Sequence, residues 1–287
     1  MTMSLLRPFR LSTLRVTWRV SAWVMAAACA ATITSVAQAE DKTPAPFATV
    51  TQAAPAPVCS APDDMTRLMN PLARTGKRIA AGEPVKIVAF GSSSTAGAFA
   101  SSPDRSYPSR LAVELKERFP SQPISVVNRG VNGEEAPDML ARLDAEVISE
   151  KPDLILWQVG TNAVLRDASM GATNAQILDG LKRMKASGAD VVLIDPQFAP
   201  MVVAKKETDE MVHLLATTAK AQNVDLFRRF AVMRHWRHVA RLPFETFISP
   251  DDLHMNDWSY GCVAKLLGGA IAEAATRTTL TASAGRR

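Results

Sequence analysis

Aromatic side chains are scarce in this chain of 287 residues, at 6% of the total. A buried core therefore has to be built from aliphatic groups, and an apolar content of 47% supplies them. Cysteine is rarer still, with Cys29, Cys59 and Cys262 the full set. None has neighbours spaced for a metal site, and none sits beside a base that would activate a thiol. Of the four histidines, His235 and His238 are three apart around Trp236-Arg237, with no third ligand near them in sequence, so a metal centre is not expected. His213 falls inside a predicted helix and reads as a surface residue. No internal repeat is visible. Beyond residue 39 no apolar run is long enough to span a bilayer.

Acidic residues are absent from the first 39 positions. Arg7, Arg10, Arg15 and Arg19 form a basic region, Val20 to Val36 is apolar and rich in small residues, and Ala37-Gln38-Ala39 fits a cleavage site. This pattern predicts a secretory signal peptide over 1–39 and a periplasmic or secreted product. The leader takes 4 of the 33 basic residues with it, leaving 29 against 28 acids. A balance of +1 gives no reason to expect a nucleic-acid partner. Cys29 leaves with the leader, and the even pair that remains, Cys59 and Cys262, is expected to form a disulfide in an oxidising compartment. Residues 40–62, rich in Pro, Ala and Thr, read as an extended linker ahead of a domain over 63–280.

From Val85 onward the hydrophobic period switches back and forth. Continuous apolar runs at Val85–Phe90, Ile124–Val127, Leu154–Val159, Val191–Ile194 and Val224–Phe227 read as strands buried on both faces. Helical spacing fills the gaps, at Tyr107–Phe119, Ala136–Ile148, Asn174–Ala186, Thr208–Gln222, Arg228–Val239 and Ser259–Arg277. A further helix is expected over Asp63–Ala81, with a possible break at Pro71. Alternation of this kind predicts an α/β fold: three layers, α/β/α, around a central parallel sheet of about five strands.

Four loops at the carboxyl edge of that sheet carry more polar residues than a turn needs. They are Gly91–Thr95, Asn128–Gly133, Gly160–Asn162 and Ser249–His254. A serine just past a strand end stands where open α/β sheets build their sites, and first-turn N–H groups there can stabilise an oxyanion. Each loop also has an ordinary reading: a serine cap, a bend at Gly133, a turn at Asn162, an N-cap at Asp251 or Asp252. Gln197 and Phe198 follow the fourth strand, where they either line a substrate pocket or cap the sheet edge.

Taken together, the blocks F-G-S-S-S-T at 90–95, N-R-G-V-N-G at 128–133, V-G-T-N at 159–162 and D-D-L-H at 251–254 resemble the SGNH/GDSL hydrolase family. The resemblance covers roughly residues 85–270. It implies a flavodoxin-like sheet and a serine esterase that works without cofactor or metal. Residue by residue, it implies Ser93 as nucleophile, His254 as base and Asp251 as its orienter. The oxyanion donors it implies are the Ser93 N–H, the Gly133 N–H and the Asn162 amide. The family aspartate and leucine beside the nucleophile are replaced by Ser92 and Ser94, and an aspartate frequent after the asparagine is Ala163. A G-x-S-x-G elbow is lacking, which sets the chain apart from the α/β-hydrolases. The expected substrate is a small-molecule or glycan ester with a short acyl or O-acetyl group. The same residues would serve an acyltransferase acting on a glycan, and a non-catalytic glycan-binding member stands as a third reading.

Overall fold

The five apolar runs become five parallel strands, and both of their faces are covered. The computed structural model describes residues 57–284. The leader, with Cys29, and the linker as far as residue 56 lie outside the described residues. The strands are β1 (Val85–Gly91), β2 (Ile124–Gly130), β3 (Leu154–Gln158), β4 (Asp190–Ile194) and β5 (Asp225–Phe227). They pair in the order β2-β1-β3-β4-β5, parallel throughout. The chain goes from β1 outward to β2, then crosses back to β3, so the winding reverses between β1 and β3. Such a reversal is where open α/β sheets place their sites, at the carboxyl edge.

The helices are α1 (Asp63–Thr66), α2 (Ala73–Ala80), α3 (Ser93–Ala96), α4 (Tyr107–Arg118), α5 (Ala136–Glu146), α6 (Thr161–Leu165), α7 (Met170–Ala186), α8 (Pro200–Val203), α9 (Thr208–Gln222), α10 (Arg229–His238) and α11 (Asp257–Ala284). Alternate strand residues enter two separate cores, as a period of two requires. Ile87 and Ala89, Leu154 and Leu156, and Val192 and Ile194 pack with side chains from α4, α10 and α11. Val88 and Phe90, Ile155 and Trp157, and Val191 and Leu193 pack with α5, α7 and α9. That double covering is why the strands read as unbroken apolar runs. Only the edge strand β2 stays partly exposed along its length.

The helix expected over 63–81 is divided. Its first part, α1, is a single turn, and α2 begins only at Ala73. Pro71 cannot donate to a helical ladder. Just before it, the N–H groups of Met69 and Asn70 both turn to Asp225 Oδ1, at 2.6 and 3.1 Å. Residues 57–62, which composition assigned to the linker, are fastened to the domain. Cys59 is disulfide-bonded to Cys262 with their Cα atoms 5.4 Å apart. Trp258 Nε1 donates to Pro57 O at 3.1 Å and Trp236 Nε1 to Ser60 O at 2.9 Å. The one-turn helices α3, α6 and α8 were not expected, because four or five residues are too few to display a period. No helix among the described residues is long and apolar enough to cross a membrane.

Candidate active site

Strand β1 stops at Gly91, and the backbone turns at once into α3. The end of β2 supports that turn. Gly91 is paired with Gly130, and a β-carbon on Gly130 would stand 2.1 Å from Ala96 N. Only glycine lets the strand lie directly against the α3 backbone. Asn128 completes the seat by donating its amide to Thr95 O at 2.9 Å and accepting from Gly130 N at 2.9 Å.

Three consecutive serines leave this turn in different directions. Ser92 is 2% exposed, and its N–H and hydroxyl both donate to Gln158 Oε1, at 2.9 and 3.0 Å. Ser94 is 1% exposed and its hydroxyl points to Gln197 Oε1 at 3.4 Å. Ser93 alone reaches outward, with Oγ 2.9 Å from His254 Nε2.

His254 arrives from the other end of the chain on a tight loop. Ser249 N donates to His254 O at 2.8 Å, and Ile248 and Met255 form an antiparallel bridge. Asp252 takes a left-handed conformation, φ +58°, which aspartate tolerates better than most residues. The turn lets Asp251 fold back on the histidine. Its Oδ1 accepts from the N–H groups of Leu253 and His254 at 3.2 and 3.0 Å, and its Oδ2 lies 2.5 Å from His254 Nδ1. Burial alone would raise the Asp251 pKa. The hydrogen bonds from the His254 ring and from both N–H groups outweigh it and hold the carboxyl below its ordinary value. With a carboxylate on Nδ1, the ring proton belongs there, and Nε2 is left to accept from the serine hydroxyl. The Phe99 ring stacks on the imidazole, centroids 5.3 Å apart and planes 13° from parallel.

Two further loops flank Ser93. Gly133 has φ +79°, a conformation in which a side chain would be strained. Asn162, on α6, donates its amide to Glu134 O at 2.8 Å. That bond takes one of the two amide protons and leaves the other available. Glu134 is held in turn by Arg142, whose Nε lies 2.9 Å from each carboxylate oxygen and whose Nη2 lies 2.7 Å from Oε2. Arg142 also donates to Arg129 O at 2.9 Å and lies over the Phe90 ring at 4.7 Å. Neither the Ser93 nor the Gly133 N–H donates to a protein acceptor among the described residues.

Beneath the site lies a buried polar brace. Gln197, 1% exposed, accepts from Thr161 Oγ1 at 3.1 Å and from Arg229 Nη2 at 3.0 Å. Its Nε2 donates to Leu253 O at 3.2 Å. One side chain thus ties α3, the start of α6, the start of α10 and the Asp251–His254 loop together. Arg229 is fully buried and donates to Asp195 O at 2.9 Å. The Asp195 carboxyl accepts from Phe230 N at 2.8 Å, and complete burial pushes its pKa up to about 7. Phe198 packs against Phe230, Phe244 and His238. Gln197 and Phe198 are both buried, Gln197 among the polar groups behind Ser93 and Phe198 among the rings of Phe230, Phe244 and His238. Among the described residues no three His, Cys, Asp or Glu side chains are grouped to hold a metal ion.

Sequence reasoning passed over Gln158, Arg142, Glu134, Arg229 and Phe99. Gln158 carried a signal, as the one polar residue at the end of an apolar strand. The arginines did not, since a charged residue on an amphipathic helix ordinarily faces water.

The family model described as the Non-GDSL lipase-like family matches residues 58–277. An arylesterase of Vibrio mimicus is 28% identical over 169 residues, 59% of this chain and 79% of that protein. A two-domain esterase described as active on acetylated mannans superposes with a TM-score of 0.63 at 21% identity. That match covers 74% of this chain and 57% of the other, so the chain spans little more than half of that protein. A lipase/acylhydrolase from Enterococcus faecalis gives a TM-score of 0.54 at 23% identity, over 66% of this chain and 96% of the other. At such identities the two structural likenesses speak for the fold alone. The family match is of another kind: it takes in every strand and all four site loops, and by it the chain belongs to the Non-GDSL lipase-like family, within the SGNH/GDSL-like hydrolases.

Proposed function

We propose that the chain is a carboxylic ester hydrolase whose nucleophile is Ser93, with His254 as general base and acid and Asp251 orienting the imidazole. The observation that carries this reading is the unbroken chain of contacts from Ser93 Oγ through His254 to Asp251, at 2.9 and 2.5 Å. A serine hydroxyl is a weak nucleophile until a base takes its proton. In the first half-reaction Oγ bonds to the ester carbonyl carbon while its proton passes to Nε2. The tetrahedral intermediate then breaks the bond to the alcohol oxygen, which departs with that proton and leaves an acyl-serine. In the second half-reaction water attacks the acyl carbon, gives a proton to Nε2, and the serine oxygen leaves and recovers it. The oxyanion of each intermediate is met by the N–H groups of Ser93 and Gly133 and the free amide proton of Asn162. Each such donor lowers the barrier by roughly 3–4 kcal/mol.

For the substrate we propose a small-molecule or glycan ester with a short acyl or O-acetyl group. An arylesterase relative and a neighbour active on acetylated mannans support that range. Export is supported by the Cys59–Cys262 bridge, a bond that persists in oxidising compartments, and by the basic, apolar and A-x-A pattern over 1–39. The test is hydrolysis of p-nitrophenyl acetate together with labelling by a fluorophosphonate probe. Both are expected in the wild type and neither in Ser93→Ala. A folded wild type that does neither overturns the proposal. Acyl transfer to an added polysaccharide that outran release of free acid would replace hydrolysis with transfer.

A further inference from the structure

Phe99 is 56% exposed, yet it is held in an unusual conformation. Its φ is +63°, in the left-handed region that an aromatic L-residue seldom enters and that tends to be kept where function demands it. The turn bearing it is well fastened. Gly97 N and Ala98 N both donate to Ser93 O at 3.0 Å, and Ala100 N donates to Gly97 O at 3.0 Å. The Tyr260 hydroxyl donates to Ala98 O at 2.7 Å. Ser101 donates from both N–H and hydroxyl to Asp257, at 2.8 and 2.5 Å. Phe99 is thus tied to the backbone of Ser93 on one side and to α11 on the other. One face of its ring lies on the His254 imidazole. More than half of the residue nonetheless stays open to solvent.

That placement has a consequence if the esterase reading holds, on which this inference rests. His254 Nε2 hands its proton to the departing alcohol, so the alcohol part of the ester has to pass beside the imidazole. The acyl oxygen is held elsewhere, by Gly133 and Asn162. We infer that Phe99 is a specificity-determining platform for the alcohol moiety, favouring ring-shaped alcohols that lay a flat face on the phenyl ring. A pyranose offers axial C–H groups for such a contact, and a phenol offers its own π face. A stack on the imidazole alone would not require the rest of the ring to stand in water.

The experiment holds the acetyl group constant and varies the alcohol: phenyl acetate, an O-acetylated methyl glucoside and ethyl acetate. Phe99→Ala is expected to lower kcat/KM for a ring ester about tenfold more than for ethyl acetate, chiefly through KM. Phe99→Tyr should restore the wild-type ratio and Phe99→Leu should not. Whichever ring ester suffers more, the sugar or the phenol, identifies the ring the platform takes. An equal loss on all three esters would make Phe99 a support for the imidazole and overturn the inference, and so would no loss on any of them. Fluorophosphonate labelling of each variant reports that Ser93 and His254 are still assembled. Loss of ethyl acetate hydrolysis in Ser93→Ala tests the esterase reading by itself, so the two ideas can fail separately.

Discussion

Asn162 donates its side-chain amide to the main-chain carbonyl of Glu134 at 2.8 Å, so the two loops flanking Ser93 brace one another. Electrostatic stabilisation needs donors that are already in place when charge develops, and on the proposed mechanism this contact would hold them there. Glu134 is fixed by the Arg142 guanidinium, with side chains only 12% and 13% exposed.

If its second amide proton meets the oxyanion as proposed, Asn162→Ala should lower kcat by about 10²–10³-fold with a small change in KM. Arg142→Ala acts at one remove. It leaves the Glu134 carboxylate half-buried without its partner, which costs on the order of 3 kcal/mol of stability. Steady-state kinetics beside thermal unfolding separates the two. An Asn162→Ala protein that kept wild-type kcat would remove this residue from the oxyanion site.

The three adjacent serines should behave in three ways. Ser93→Ala and His254→Ala are expected to lose about 10⁴-fold or more in kcat while folding normally. Ser92→Ala removes one of the three hydrogens that converge on Gln158 Oε1, leaving those of the residue 92 N–H and the Thr95 hydroxyl. It should cost about 1–2 kcal/mol in stability and keep most of the activity. Ser94→Ala loses a longer contact to Gln197 and should cost less. An inactive Ser92→Ala or Ser94→Ala enzyme beside an active Ser93→Ala would reassign the nucleophile.

Asp251 and Asp252 offer a matched pair. Asp251→Asn keeps the shape of the loop but cannot hold His254 Nδ1 as a charged acceptor, and about 10⁴-fold should be lost in kcat. Asp252→Asn stays close to wild type, since asparagine accepts the left-handed φ of that position. The depressed Asp251 pKa also fixes the sign of a pH effect. Its interaction with His254 is fully present above the ordinary carboxylate value and is lost only as pH falls through the lower folded value. The opposite ranking of the two asparagine variants would mean that Asp252 is the orienting residue.

Much of this was legible in the sequence. Strands buried on both faces and helices of ten residues or more announce themselves through their period, and β1, β3, β4 and α9 run close to where periodicity puts them. The four site loops stood out because polar residues gathered where strands end. What stayed hidden was set by tertiary packing. Arg229 begins a predicted helix with nothing to mark it as internal, yet it is fully buried, where it donates to Asp195 O and Gln197 Oε1 just beyond β4. Gln197 read equally as a pocket residue or a cap on the sheet edge, and nothing in sequence pointed to its four partners, Ser94, Thr161, Arg229 and Leu253. Phe99 left no mark at all, since nothing in A-G-A-F-A tells of a left-handed turn pointing a ring at a histidine 155 positions away.

Removing the Cys59–Cys262 bridge should weaken the fold without touching the chemistry. The bond closes a loop of 203 residues, and chain entropy alone assigns it roughly 5 kcal/mol. The indole contacts of Trp236 and Trp258 still hold residues 57–60, so part of the strap survives reduction. Cys59→Ser/Cys262→Ser is expected to unfold about 10 °C or more below wild type and to keep its kcat at 25 °C. A double variant with unchanged Tm would show that the bridge contributes nothing to stability.

The buried Asp195 gives stability a pH dependence of its own. Burial lifts its pKa from the ordinary 3.8 to about 7, with the hydrogen bond from Phe230 N and the charge of Arg229 only partly opposing the rise. A carboxyl raised in this way binds its proton more tightly folded than unfolded. Its contribution is whole below 3.8, declines as pH rises toward about 7 and is flat above that. Asp195→Asn keeps an oxygen to accept from Phe230 and has no proton to lose. Between pH 4.5 and pH 8 its Tm should therefore gain on that of the wild type, by roughly 5 °C. Thermal unfolding of both proteins at the two pH values measures the difference. A constant gap would mean that Asp195 is ionised throughout, stabilised by the Arg229 guanidinium more strongly than its burial opposes.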